Sequence, residues 1–139
     1  MAIGQFTEIT ISNRSSDKTL KIQNLTMKWG KIYPEGNKNG PEISPADVEN
    51  TEIKPKKSYV FRTCGRSDSA SGTEGYFDLN VDDKMVRNIY WSSPWGVSDN
   101  IFKLSGEDED WMAEVRPAGN QGGNAGPLGV VGCTLVYLG

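Results

Sequence analysis

The sequence predicts an all-β fold, an antiparallel β-sandwich forming a single domain over residues 1–139. Three observations predict it. Apolar residues recur at alternate positions over short runs, the period of a half-buried strand. Clusters of Gly, Pro, Ser, Asn and Asp break these runs at short intervals. No segment sustains the 3.6-residue apolar period of an amphipathic helix. A chain of 139 residues suits one domain that buries about 70% of its unfolded surface, so no covalent staple is required.

The elements follow in order. Ile9 and Ile11 alternate with Glu8 and Thr10 as a first strand, and residues 13–17 read as a hairpin turn into the second. Leu20 and Ile22 share one phase while Leu25, Met27 and Trp29 take the other, which predicts a bulge near Gln23 and Asn24. Residues 34–47 form a long loop broken by Pro34, Gly36, Gly40, Pro41 and Pro45, with one helical turn capped by Ser44. Residues 59–63 are a strand, and 64–75 a small, polar loop. In 76–81 the residues Phe77, Leu79 and Val81 share a face; Asp82 and Asp83 turn the chain; in 84–91 Met85, Ile89 and Trp91 share a face. Residues 92–99 form a loop containing Pro94 and Gly96. Strands at 101–104 and 111–115 flank the acidic turn 106–110, read as solvated, with weak calcium binding as the alternative. Residues 117–127 are glycine-rich and expected to be flexible, and 128–138 close the chain as a long apolar strand. About eight short strands separated by turns make a sandwich.

Composition narrows the function. The net charge is −3, and the only basic cluster is Lys54, Lys56 and Lys57. Binding nucleic acid or anionic lipid by charge alone calls for a more basic chain. No stretch approaches the roughly 18 apolar residues of a membrane span. The chain has no histidine, which removes the usual general base, the Ser-His and Cys-His pairs and the commonest zinc ligand. No enzyme activity, cofactor or metal is therefore expected. Cys64 and Cys133 lack metal-type spacing and are expected to be reduced. The first residues show no basic region followed by an apolar run. Synthesis in the cytoplasm, release without a classical signal peptide and action at a target membrane surface are expected.

The candidate binding residues are aromatic. In the run Trp91-Ser-Ser-Pro-Trp95-Gly96, Trp91 ends a strand, and Trp95 sits on a loop between a proline and a glycine. An indole there either folds back on its own core, docks on a protein, or meets a membrane interface with its apolar body and wet N–H. Trp29-Gly30-Lys31 sets a second indole beside a cation; the alternative is that Trp29 ends the core stripe of Leu25 and Met27. If Trp29 and Trp95 meet at one end of the sandwich, they frame a pocket for an ammonium group by cation–π attraction, with Tyr33 and Tyr90 as further walls. A phosphate beside that ammonium would call on Lys31, on Arg66 or on the hydroxyls of loop 64–75. Within that loop Arg66 and Asp68 are expected to pair. The loop lacks the Gly-Lys-Ser/Thr of a nucleotide-binding loop.

Together these motifs are carried nearly end to end by a resemblance to the aegerolysins. They are the Ile-rich first strand, Leu25-Thr-Met-Lys-Trp-Gly-Lys31, Cys64-Gly-Arg-Ser-Asp68 with Gly72-Thr73, Gly75-Tyr-Phe-Asp-Leu79, Val86-Arg-Asn-Ile-Tyr-Trp91 and Pro94-Trp-Gly96. The resemblance implies an actinoporin-like β-sandwich that binds sphingolipid-containing membranes, either sphingomyelin with sterol or ceramide phosphoethanolamine. It implies the targeting half of a two-component pore-forming toxin whose larger partner makes the pore, closest to the smaller half of a bacterial insecticidal binary toxin. Self-association on the membrane is a further expectation. Carried over by position, Trp29 and Trp95 match aromatic lipid contacts, with Lys31, Arg66, Tyr90 and Trp91 completing the candidate lipid-binding set. The chain departs from the fungal pattern at Phe6, Ser71, Ser92, Ser93 and Ser98. The other functional classes are a carbohydrate-binding, lectin-like module, since aromatics on a β-sandwich also stack on sugars, and a small hydrolase using an Asp/Glu pair that the residues do not assign.

Overall fold

The computed structural model describes residues 2–96, 98–123 and 126–139; Asn124 and Ala125 of the glycine-rich stretch and Val97 of the Trp95 loop lie outside the described residues. The strands are β1 (Phe6–Arg14), β2 (Leu20–Trp29), β3 (Lys31–Tyr33), β4 (Glu52–Ile53), β5 (Ser58–Cys64), β6 (Thr73–Val81), β7 (Lys84–Ser93), β8 (Ile101–Ser105), β9 (Trp111–Val115) and β10 (Gly129–Tyr137). One short helix, α1 (Pro45–Val48), interrupts them, capped by the Ser44 hydroxyl as its sequence predicts. Two five-stranded sheets form the sandwich, in the orders β3-β5-β1-β10-β9 and β4-β2-β6-β7-β8. Every pairing is antiparallel except that of β1 with β10.

The expected hairpin from β1 to β2 does not form. The two strands belong to different sheets, and the turn between them is a corner of the sandwich. Asn13 holds the corner: its buried amide donates to the carbonyls of Lys18 and Ile53, each at 2.8 Å. Ser15 Oγ donates to Asn13 Oδ1 and accepts from the Lys18 amide. A buried amide with these partners fixes the crossing more firmly than a solvated hairpin turn would.

The core lies between the sheets. Ile9 and Ile11 from one face meet Ile22, Phe77, Leu79, Ile89 and Trp91 from the other. Phe61 packs edge-on to Phe77 and Trp91, with centroids 5.5 and 5.9 Å away. Each such side chain contributes about 1.5–3 kcal/mol by leaving water. The bulge expected near Asn24 is present, with Asn24 at a φ of 55° and the β2–β6 register shifting between Gln23 and Thr26. The β7 face differs from expectation. A register shift at Leu79–Asn80 turns Met85 into solvent and puts Val86 in the core beside Ile89 and Trp91. Strand β6 also starts earlier than expected, at Thr73, which shortens the preceding loop and places Glu74 within the sheet.

Candidate functional site

The end of the sandwich nearest Cys64 gathers the candidate residues. A second register shift in β2, between Met27 and Trp29, decides the first of them. Strict alternation from Leu25 and Met27 would bury Trp29. The extra residue rotates it to pair with Glu74, and the indole is left 51% exposed. Gly30 follows at a φ of 86°, and a Cβ there would stand 2.5 Å from the Cys64 carbonyl oxygen, so the chain can turn into β3 only at a glycine.

Trp95 arrives from the other side. Loop 65–72 and the segment after β7 touch at Gly72, where a Cβ would lie 2.1 Å from the Ser93 carbonyl oxygen and 2.9 Å from the Trp95 nitrogen. The contact brings Trp95, 44% exposed, opposite Trp29 across a hollow of about 250 Å³. Ser71, Gly72, Glu74, Ser92 and Pro94 complete its lining. Behind it, buried Ser93 accepts from the Leu128 amide at 3.0 Å and donates to Gln5 at 3.3 Å. Buried Asn100 binds the glycine-rich segment through the carbonyls of Asn120 and Gly126, so the described part of that segment is tied down rather than loose.

The Trp29–Trp95 hollow carries an acid. The Tyr90 phenol donates a short hydrogen bond to Glu74, and Lys28 Nζ stands 3.8 Å from the same carboxylate oxygen. Burial, and then the Glu74 carboxylate, push the Tyr90 phenol up to about 12. Glu74 thus offers negative charge in a hollow that two indoles also line, the chemistry of an ammonium site.

Trp29 is also a wall of a second hollow, of about 430 Å³, lined by Lys31, Glu42, Ile43, Arg66, Ser69 and Ser71 among others. Arg66 does not pair with Asp68 as expected. Its guanidinium makes a bidentate pair with Glu42, at 2.6 and 2.8 Å, because loop 34–44 returns alongside β3, Ile43 bridging Ile32, and delivers a carboxylate to the two-pronged donor that arginine presents. That hydrogen bond is the main cause holding the Glu42 carboxyl below its usual range.

Of the candidate set, Trp29, Trp95, Lys31 and Arg66 therefore meet at one end, and Tyr90 stands beside them through Glu74. Trp91 does not belong to the contact surface. It is fully buried, packed on Phe61 and Phe77, and its indole N–H donates to Thr73, which donates in turn to Thr63. Tyr33 also leaves the set: it is buried and lines a separate hollow with Glu8, Glu35 and Arg62. Glu74 and Glu42 were not assigned from sequence. The parity of Thr73-Glu74-Gly75-Tyr76 would have placed Glu74 outward had the strand been extended to Thr73. The acidic turn closes on itself, Asp110 N donating to Asp108, with Lys84 3.3 Å away, and among the described residues no cluster suits a metal.

Comparison with known proteins bears on this arrangement. The aegerolysin family model matches residues 4–135. The chain belongs to the aegerolysin family. It is similar to ostreolysin A6 of Pleurotus ostreatus, 40% identical over 135 residues and 94% of each chain. It is 34% identical to Asp-hemolysin of Aspergillus fumigatus over 93% of this chain and 92% of that one. Among solved structures, IP-1A from Alcaligenes faecalis superimposes with a TM-score of 0.86 at 34% identity, covering 99% of this chain and 94% of the other. One of these aegerolysin relatives is named a hemolysin.

Proposed function

We propose that this aegerolysin is the membrane-recognition component of a two-component pore-forming, insecticidal toxin, and that it docks on the zwitterionic head group of a phospho-sphingolipid. One observation carries the reading: Trp29 is a shared wall between a hollow holding Trp95 and Glu74 and a hollow holding Lys31 and Arg66. The first suits an ammonium group, by cation–π attraction of roughly 0.5–2 kcal/mol per indole and a carboxylate beside it. The second suits a phosphate. An ammonium and a phosphate joined by two carbons are the two ends of such a head group. Both sphingomyelin with sterol and ceramide phosphoethanolamine fit that description. Protein bound densely at the target surface after release then recruits a larger partner, which makes the pore.

Co-sedimentation with vesicles differing only in head group and sterol tests the reading. Binding is expected to vesicles containing sphingomyelin and cholesterol, or ceramide phosphoethanolamine, and not to phosphatidylglycerol vesicles. Equal binding to all of them, or to none, would overturn it.

A further inference from the structure

The outer face of the second sheet continues from the Trp29–Trp95 end as a graded surface. The cross-strand registers set Trp29, Glu74, Ser92 and Ile101 in one row across β2, β6, β7 and β8. At 4.7–4.9 Å per strand that row reaches about 14 Å from the indole. The next row is Thr26, Tyr76, Tyr90 and Lys103. All of these side chains point outward, since Gly75, Trp91 and Phe102 between them are buried. Ile101 is 44% exposed and Tyr76 42%. The third row changes character. Asp78 accepts from Asn24 and from Asn88, both at 2.8 Å, closing a wholly polar band. On the outer face of the other sheet the row nearest this end is Lys31, Cys64 and Phe6, with Cys64 buried and Lys38 Nζ 4.2 Å above the Phe6 ring. The next row is Tyr33, Arg62, Glu8 and Val130, where Glu8 holds Arg62 at 2.9 Å and Val130 is the exposed apolar side chain.

We propose that this two-row strip is a second membrane contact, so that the protein lies tilted on the bilayer with the outer face of the second sheet leaning on the head-group layer. The inference rests on the lipid-recognition reading and adds to it a footprint and an orientation. A bilayer is the occupant that the strip fits. Tyrosine and tryptophan rings suit the layer where apolar and wet environments meet, Ile101 offers a purely apolar side chain, and exposed Lys103 and Lys28 reach lipid phosphates. The strip is continuous with the head-group hollow through Trp29, and it ends where hydrogen-bonded polar side chains would resist leaving water. A selective head-group site alone would leave Ile101 in solvent.

The test is a nitroxide attached through Ile101→Cys and, as control, through Met112→Cys on the far sheet, which is 53% exposed. Cys64 and Cys133 are buried, which confines the label to the new thiol. The vesicles are phosphatidylcholine with ceramide phosphoethanolamine, or with sphingomyelin and cholesterol. On bound protein the label at 101 should gain severalfold in oxygen accessibility over a water-soluble nickel relaxant, while the label at 112 stays in water. Ile101→Ser, with Trp95 intact, should lower affinity about fivefold without changing which vesicle is preferred. Bound protein whose label at 101 stays in water overturns the footprint and leaves head-group recognition standing. Dipolar broadening at 101 without vesicles would mark the strip as a contact between copies and overturn it equally. Protein that binds neither vesicle set sinks the lipid reading and the footprint with it.

Discussion

The Tyr90 phenol donates to the Glu74 carboxylate across the β6–β7 pair, at the edge of the hollow between Trp29 and Trp95. The bond occupies one carboxylate oxygen and leaves the other for a ligand. Glu74→Gln should therefore weaken binding to zwitterionic vesicles about tenfold, whereas Tyr90→Phe, which frees the carboxylate to rotate, should cost about threefold. Equilibrium binding to the two vesicle sets measures both. A Glu74→Gln protein that binds like the parent would remove the acid from the site.

The same pair sets a pH dependence. Tyr90 has its pKa raised from 10.0 to about 12, so the neutral phenol is favoured in the folded protein. Its contribution to stability is fully present below pH 10 and is lost as pH rises toward about 12. An ultraviolet titration of tyrosinate should show a late phase that loses the Tyr90 contribution in Tyr90→Phe and keeps that of Tyr33, which burial also raises. An unaltered late phase in that variant would assign it elsewhere.

Trp95 stands on a loop with nearly half its surface in water, and nothing in the core depends on it. Trp95→Ala should leave thermal unfolding within about 1 °C of the parent while reducing vesicle binding at least tenfold, about 1.4 kcal/mol. A large loss of stability with binding retained would reverse its role, making it a lid on the core.

Glu42 competes with any phosphate for Arg66. Removing it should expose the guanidinium donors, so Glu42→Gln is expected to strengthen binding to phosphate-bearing vesicles about two- to fivefold. The sign with pH agrees: the Glu42 carboxyl is held below its usual range, so the pair persists above that range and opens as pH falls through the lowered value. Acid should then favour binding in the parent but not in the variant. Weaker binding by Glu42→Gln would mean that the pair shapes the hollow instead of blocking it.

Much of this was legible in the sequence. Alternation at Ile9 and Ile11 and at Phe77 and Leu79 marks core strands, and the phase change around Asn24 marks a bulge, because period two is unforgiving of an extra residue. The sequence raises the meeting of Trp29 with Trp95 at one end only as a condition, and the family resemblance marks each as an aromatic contact without joining them; the structure sets both against one hollow. Three things were not legible. The phase of Leu25 and Met27 points Trp29 inward, and only the second register shift reverses it. The turn after β1 has ordinary hairpin composition, and its corner role comes from Asn13 reaching Ile53 far along the chain. Glu42 meets Arg66 through a long loop whose path no local pattern encodes.

The approach of the two site loops rests on one hydrogen atom at Gly72. Its φ is 33°, and a methyl group there would stand 2.1 Å from the Ser93 carbonyl oxygen and 2.9 Å from the backbone of both Pro94 and Trp95. These neighbours are backbone, and Ser93 is itself fixed by the Leu128 amide and Gln5, so the strain cannot be relieved by a side chain swinging away. Gly72→Ala should push the Trp95 loop outward and widen the hollow. The core beneath, with Trp91 bonded to Thr73, should hold. The expected result is a stability loss of about 1–3 kcal/mol, with vesicle binding falling as far as it does in Trp95→Ala and the Trp95 fluorescence moving toward that of a solvated indole. A Gly72→Ala protein with parental binding and an unshifted spectrum would show that Trp95 reaches its place without that contact.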